Sequence, residues 1–224
     1  MIEIRTDPSW PRGARMGLLE ARGLPPLDTH PVLEARRAAL ELELRAAYAG
    51  SGRQALKELP VMAVFAAYFK PHGQTYHVLR QLESVVLKER PISAQLAAVT
   101  ALFMAELRHG LVAAAHDLDR LAPPLQLARS TGGEQYRGFG DRPVTLPAGD
   151  LILRHRDGIL SSILRGPDGN TPVGPGTRDV LFTHYAPEGI PAGALEAQLE
   201  DLAGHLRAYA PGAALETRIM PWMD

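Results

Sequence analysis

His116, Asp117 and Asp119 stand close together in the chain, and among its side chains this grouping makes the best case for proton transfer. Imidazole titrates near neutrality and gains as a cation from a neighbouring anion, so His116 is the candidate general base. A structural reading competes: alternation along a strand sends Asp117 to the face opposite His116. Asp117 and Asp119, which share a face, suit backbone N–H groups at a turn. A second grouping is Gly132-Gly133-Glu134, where two glycines let backbone amides approach a ligand and Glu134 offers a carboxylate to an α-ammonium. The plainer alternative is a hairpin turn carrying an exposed acid. Third, GPDGNTPVGPGT from Gly166 to Thr177 is long and polar for a strand connection, as the rim of a pocket would be. Arg165 at its entry, Asn170 within it and Thr177 at its end are candidate substrate-binding residues. Arg154 and Arg156, two apart in an apolar run, fall on one strand face and suit phosphate.

Other chemistries find less support. The chain has no cysteine, which removes disulfides, thiolate zinc sites and a Cys nucleophile. A metal set would have to combine His116, Asp119 and His155 or His184, and no ligand spacing of the H-x-x-x-H kind links them, so no metal and no cofactor is expected. No G-x-S-x-G turn exists, and Ser161-Ser162 fall inside a strand-like run.

Lys plus Arg number 24 and Asp plus Glu 25, giving a formal charge of -1, so any contact with a polyanion must be local. The opening MIEIRTDPSW lacks the layout of a signal peptide, and the most apolar run, 94–105, falls short of the roughly 20 residues that span a bilayer. A cytoplasmic protein without a membrane segment is the expectation. Few aromatics argue against a stacking platform for nucleic acid.

The elements that must position these groups follow from apolar spacing. Met1–Arg5 and Arg15–Ala21 read as strands. Asp28 or Thr29 caps a helix with Pro31 in its first turn and Leu33, Leu40, Leu44 and Ala47 on one face. Its other face, with Arg36, Arg37, Glu41, Glu43 and Arg45, reads as ordinary solvated surface. Pro60–Phe69 is a short buried helix. Val78, Leu82 and Val85 mark an amphipathic helix ending before Pro91, and Ser93 caps a central apolar helix over 94–107, stopped by Gly110. Five apolar runs follow, 111–115, 125–128, 151–153, 159–164 and 180–185, expected as strands of one sheet, with Asp157-Gly158 as a two-residue hairpin turn. A helix striped by Leu195, Leu199, Leu202, Leu206 and Tyr209 precedes a last strand, 215–220.

Helices, then strands, then a helix predict an α+β fold: an N-terminal helical portion packed on a mostly antiparallel sheet with a C-terminal helix. Residues 1–58 hold the first strands and helix and are expected to join the same globule as residues 59–224, because no Ser-rich or charged linker separates them.

Taken in order, these segments resemble one family. HDLDRLAPPLQLARSTGGE, from His116 to Glu134, is similar to the editing (B3/B4) domain of the phenylalanyl-tRNA synthetase beta subunit, a domain that also occurs free-standing. HVLRQLESVVLKERPIS resembles its helix-turn, PAGDLILRHRDGILSSIL its strand, acidic turn and strand, and GTRDVLF its Thr-led strand, which places Thr177 at the pocket. The resemblance spans roughly residues 60–206, and no single motif within it is diagnostic. It implies a protein of aminoacyl-tRNA quality control, with the tRNA acceptor end or aminoacyl group as partner, Arg154 and Arg156 toward tRNA, and Glu134, Gly132, Gly133, Arg165, Asn170 and Thr177 around the amino acid. Two family positions differ: Ala114 stands where a histidine is found and Pro172 where a glutamate is found. The resemblance thus leaves open hydrolysis of misacylated tRNA and binding without cleavage.

Overall fold

The computed structural model describes residues 1–93 and 96–221. Among them the chain forms strands β1 (Ile4–Thr6) and β2 (Arg15–Arg22), helices α1 (Pro31–Ala47), α2 (Arg53–Lys57), α3 (Pro60–Phe69), α4 (His77–Leu87) and α5 (Ala97–His109), and then strands β3 (Ala113–Asp117), β4 (Leu125–Arg129), β5 (Gln135–Gly138), β6 (Arg142–Thr145), β7 (Leu151–His155), β8 (Gly158–Ser162), β9 (Gly166–Pro167) and β10 (Val180–Ala186). Helix α6 (Ala194–Tyr209) and strand β11 (Ala214–Met220) close it. The class is α+β, mostly antiparallel, with α6 as the C-terminal helix. No helix among the described residues is long and apolar enough to cross a membrane.

The five apolar runs do not make one sheet, contrary to expectation. β3 and β10 enter a four-stranded antiparallel sheet in the order β11-β2-β10-β3, while β4, β7 and β8 belong to a five-stranded sheet in the order β1-β4-β7-β8-β9. The division has a local cause. Asp117 ends β3 by capping a 3₁₀ turn over Leu118–Arg120, and Pro123-Pro124, lacking N–H donors, cannot extend the ladder. Beyond β9 the chain returns past His116, bridging it at Pro172, and re-enters the first sheet as β10. Residues 1–58 are woven into both sheets: β1 pairs in parallel with β4, and β2 lies between β10 and β11.

β2 is buried along nearly its whole length because α6 covers one of its faces. Gly17 makes that approach possible, since a Cβ there would sit 2.8 Å from Leu195 and 2.9 Å from Leu199. The apolar stripe of α6, the buried faces of α1, α3, α4 and α5, and the inner faces of both sheets form one continuous core. At roughly 25 cal/mol per Å² of apolar surface removed from water, this burial is what drives the two sheets and the helices together.

Smaller expectations shift. The N-cap of α1 is His30, without a side-chain hydrogen bond, in place of Asp28 or Thr29. The N-cap of α5 is Leu96 in place of Ser93; the expected helix start at Ala94 lies outside the described residues. The β7–β8 turn is Arg156-Asp157, one residue earlier than Asp157-Gly158, because His155 pairs directly with Gly158. α2 and the β5–β6 ribbon have no counterpart in the sequence reading.

Candidate functional site

The outer face of the five-stranded sheet is built in two parts. Ala128, Ile152 and Ile159 are covered there by the β5–β6 ribbon through Leu146 and Tyr136, forming a small second core. Two residues along the strands the cover stops, and the same face turns polar. Register sets a row across it: Arg5 on β1 is opposite Gln126 on β4, Gln126 is opposite Arg154 on β7, and Arg154 is opposite Ile159 on β8. Strands lie about 4.8 Å apart, so Arg5 and Arg154 stand roughly 10 Å from each other at the backbone. Arg156, on the hairpin turn, and Glu134, where the ribbon begins, close the ends of an open cleft of about 580 Å³.

Glu134 is held by its own turn. Its carboxylate accepts from the Ser130 hydroxyl at 2.6 Å, the Thr131 amide at 2.8 Å and hydroxyl at 3.0 Å, and the Gly132 amide at 2.8 Å. Partial burial opposes ionisation, but these hydrogen bonds outweigh it and hold the pKa down at about 2. A carboxylate has about four acceptor sites, and the turn occupies them. What Glu134 presents to the cleft is charge, directed at the Arg154 guanidinium 3.4 Å away. Arg154 in turn keeps an enclosed Nε without a protein partner. Gly132 and Gly133 adopt left-handed backbone, φ 95° and 86°, and their amides are spent inside the loop, that of Gly133 on the Leu146 carbonyl. A Cβ on Gly132 would also press to 3.1 Å from Ala148.

The remaining candidates are elsewhere. His116, on β3, has no exposed surface. Its Nδ1 lies 2.9 Å from the Thr171 hydroxyl, which donates onward to Asp168 in a short contact. Because Thr171 gives its only proton to Asp168, its oxygen accepts from His116, whose proton therefore sits on Nδ1 and whose Nε2 carries a bare lone pair with no partner. Burial, aided by the nearby His155, lowers the His116 pKa to about 3, so the ring is neutral. Asp117, on the other face of β3, accepts from Thr177 Oγ1 at 2.7 Å and from the Asp119 amide at 3.1 Å. Thr177 accepts from the Gly174 amide and is nearly enclosed. Asn170 is exposed on the same loop, its carbonyl accepting from Arg120 at 3.3 Å. Arg165 is exposed past the far end of β8, its Nη1 2.7 Å from the end of the Gln74 side-chain amide, which satisfies its neighbours when its oxygen is turned toward Arg165.

The structure thus brings Glu134, Arg154 and Arg156 together, with the Gly132-Gly133 turn behind Glu134, and separates them from His116, Asn170, Thr177 and Arg165. It adds Arg5 and Gln126, which sequence reading passed over. No local signal marks Arg5, because its place depends on pairing with a strand some 120 residues away. Also unforeseen is a buried knot in which Asp150 accepts from the Tyr68 hydroxyl at 2.9 Å and the Ser162 hydroxyl at 2.6 Å, tying α3 to the five-stranded sheet. Burial raises the Asp150 pKa against the pull of those two donors. Among the described residues no group of three or more His, Asp or Glu is placed to hold a metal.

No family model and no curated protein matches the chain. Solved structures do match. The chain superposes on an N-terminal fragment of the phenylalanyl-tRNA synthetase beta-subunit from Pyrococcus horikoshii with a TM-score of 0.51 at 10% identity, over 100% of this chain and 55% of that one. The chain therefore spans about half the length of that fragment. At such identity, the likeness that the ordered motifs led us to expect is one of fold.

Proposed function

We propose that the protein acts in aminoacyl-tRNA quality control, receiving the acceptor end of a misacylated tRNA in the cleft on the outer sheet face and hydrolysing its ester. One observation carries the reading: the cross-strand row of Arg5, Gln126 and Arg154, closed by Arg156 and Glu134, on a fold like that of a tRNA synthetase fragment. Guanidinium groups spaced along a sheet suit the phosphates of an RNA end. Glu134, ionised at neutral pH, sets the position of Arg154 and supplies the negative field an α-ammonium would meet. The ester is already activated, and its hydrolysis needs chiefly a positioned water and donors for the developing oxyanion.

A second reading, binding without cleavage, is favoured by the enclosure of His116, which takes the candidate general base of the histidine–aspartate grouping away from the cleft. One experiment separates the two: incubate the purified protein with tyrosyl-tRNA(Phe) and a panel of other mischarged tRNAs, following both ester loss and retention on a filter. Deacylation above the spontaneous rate supports the hydrolase. Retention without ester loss supports the binder, and neither across the panel rules out both.

A further inference from the structure

Apart from the cleft, a groove of about 990 Å³ opens among α2, α3 and α4. Its floor is the outer face of α3, where Ala63, Ala66 and Ala67, spaced i, i+3, i+4, leave the backbone nearly bare to solvent. Its rim is cationic. Arg53 and Lys57 line it from α2 and Lys70 from the end of α3, against one acid, Glu58. Arg53 is engaged by Glu83 at 2.8 Å, whereas Lys57 and Lys70 are exposed and form no ion pair with the described residues. The whole chain contains only three lysines, at 57, 70 and 88, and two of them face this groove. Gln74, also lining it, carries the cation row on through its contact with Arg165.

Position matters as much as charge. β8 links the two concavities: Ile159, near its start, lines the cleft, and Arg165, just past its end, meets the groove at Gln74. Six residues span at most about 20 Å, which bounds the backbone separation of Ile159 from Arg165. The groove offers no exposed aromatic ring, since Tyr76 is buried, so it suits a backbone and not stacked bases.

We propose that this groove is a second RNA contact, in which Lys57 and Lys70 meet phosphates of the tRNA whose acceptor end lies in the cleft. The inference rests on the tRNA reading above. The test is binding of uncharged tRNA to the full chain over a range of salt concentrations, comparing the native protein with Lys57→Ala/Lys70→Ala. Each lost phosphate contact should make the plot of log affinity against log salt shallower by about 0.7 to 0.9, so the double variant should lose between one and two units of slope. Affinity at low salt should fall on the order of tenfold, equally for different tRNAs. Amine acylation provides a second readout with an internal control: tRNA should protect Lys57 and Lys70 and leave Lys88 reactive. If the native protein binds tRNA while the variant keeps its slope and affinity and all three lysines label alike, the groove is not an RNA contact and the cleft reading survives. If the native protein binds no tRNA at any salt, both fall together.

Discussion

The Glu134 turn and the His116 knot use the same vocabulary of carboxylate, threonine hydroxyl and backbone amide, and burial gives them opposite properties. At His116 the chain of contacts through Thr171 to Asp168 is closed to solvent, the ring is neutral, and its job is to hold β3 against the returning loop. At Glu134 four local donors keep a charge at the edge of an open cleft, where it acts on Arg154. A polar group removed from water is held by the need to satisfy it, whereas one left at the surface keeps a field that a ligand can meet. The contrast teaches that the residue most suggestive of catalysis by type, a histidine beside two aspartates, is here the more structural of the two.

The largest expected effect would come from the knot. Asp168→Ala leaves the Thr171 hydroxyl without its acceptor in a buried setting, at a cost of about 2–4 kcal/mol, which lowers Tm by roughly 5–15 °C in a chain of this size. A melt within 2 °C of the native one would show that the interior is not held by that chain of contacts. Next comes the cleft. Arg154→Ala removes a half-exposed ion pair worth at most about 1 kcal/mol, so Tm should barely move, while tRNA affinity should fall about tenfold. Equal loss of stability and affinity would erase the distinction between the two regions.

Burial can be probed by pH through a third acid. Glu106, on α5, is enclosed and its pKa is pushed up to about 8, so the folded protein keeps a proton that the unfolded chain releases near 4.5. The unfolded state then binds fewer protons between those values, and stability falls as pH rises across that window. Glu106→Gln can still accept from the Ala113 amide and should be the more stable protein above pH 8, by an amount on the order of a few kcal/mol, with the gap closing below pH 5. Parallel curves for the two proteins would contradict this.

The smallest effect belongs to Glu134. Its pKa is lowered, so what it contributes is present above about 4.5 and lost as pH falls toward 2. Glu134→Gln should lower Tm by at most a few degrees at pH 7, because the site is largely solvated, and the difference should vanish near pH 2. Loss of tRNA binding in this variant despite a native melt would sharpen its assignment to the cleft.

Much of the fold was legible because period is local. The leucine stripe of α6, the run over Pro60–Phe69 and the apolar run of β2 each report their own burial. Asp117 and Asp119 at a turn were foreseen for the same reason, since an aspartate reaching the amide two residues on needs no distant partner. Arg154 and Arg156 reach the same cleft, as alternation along the strand suggested. Which strands share a sheet was not legible: five apolar runs announce strands without naming neighbours, and a turn at Leu118–Arg120 followed by two prolines divided them between two sheets.

By itself, then, the chain of residues determined the type of those elements that carry an apolar period or run, their inward faces and the turn at Gly132-Gly133, all of which depend on groups a few positions apart. Only tertiary structure decided that β1 pairs with β4 and sets Arg5 in line with Arg154, that Glu134 spends its acceptors on its own loop, and that His116 is shut away from solvent. Those outcomes turn on contacts between residues far apart in the chain, and on burial, which no short window of sequence contains.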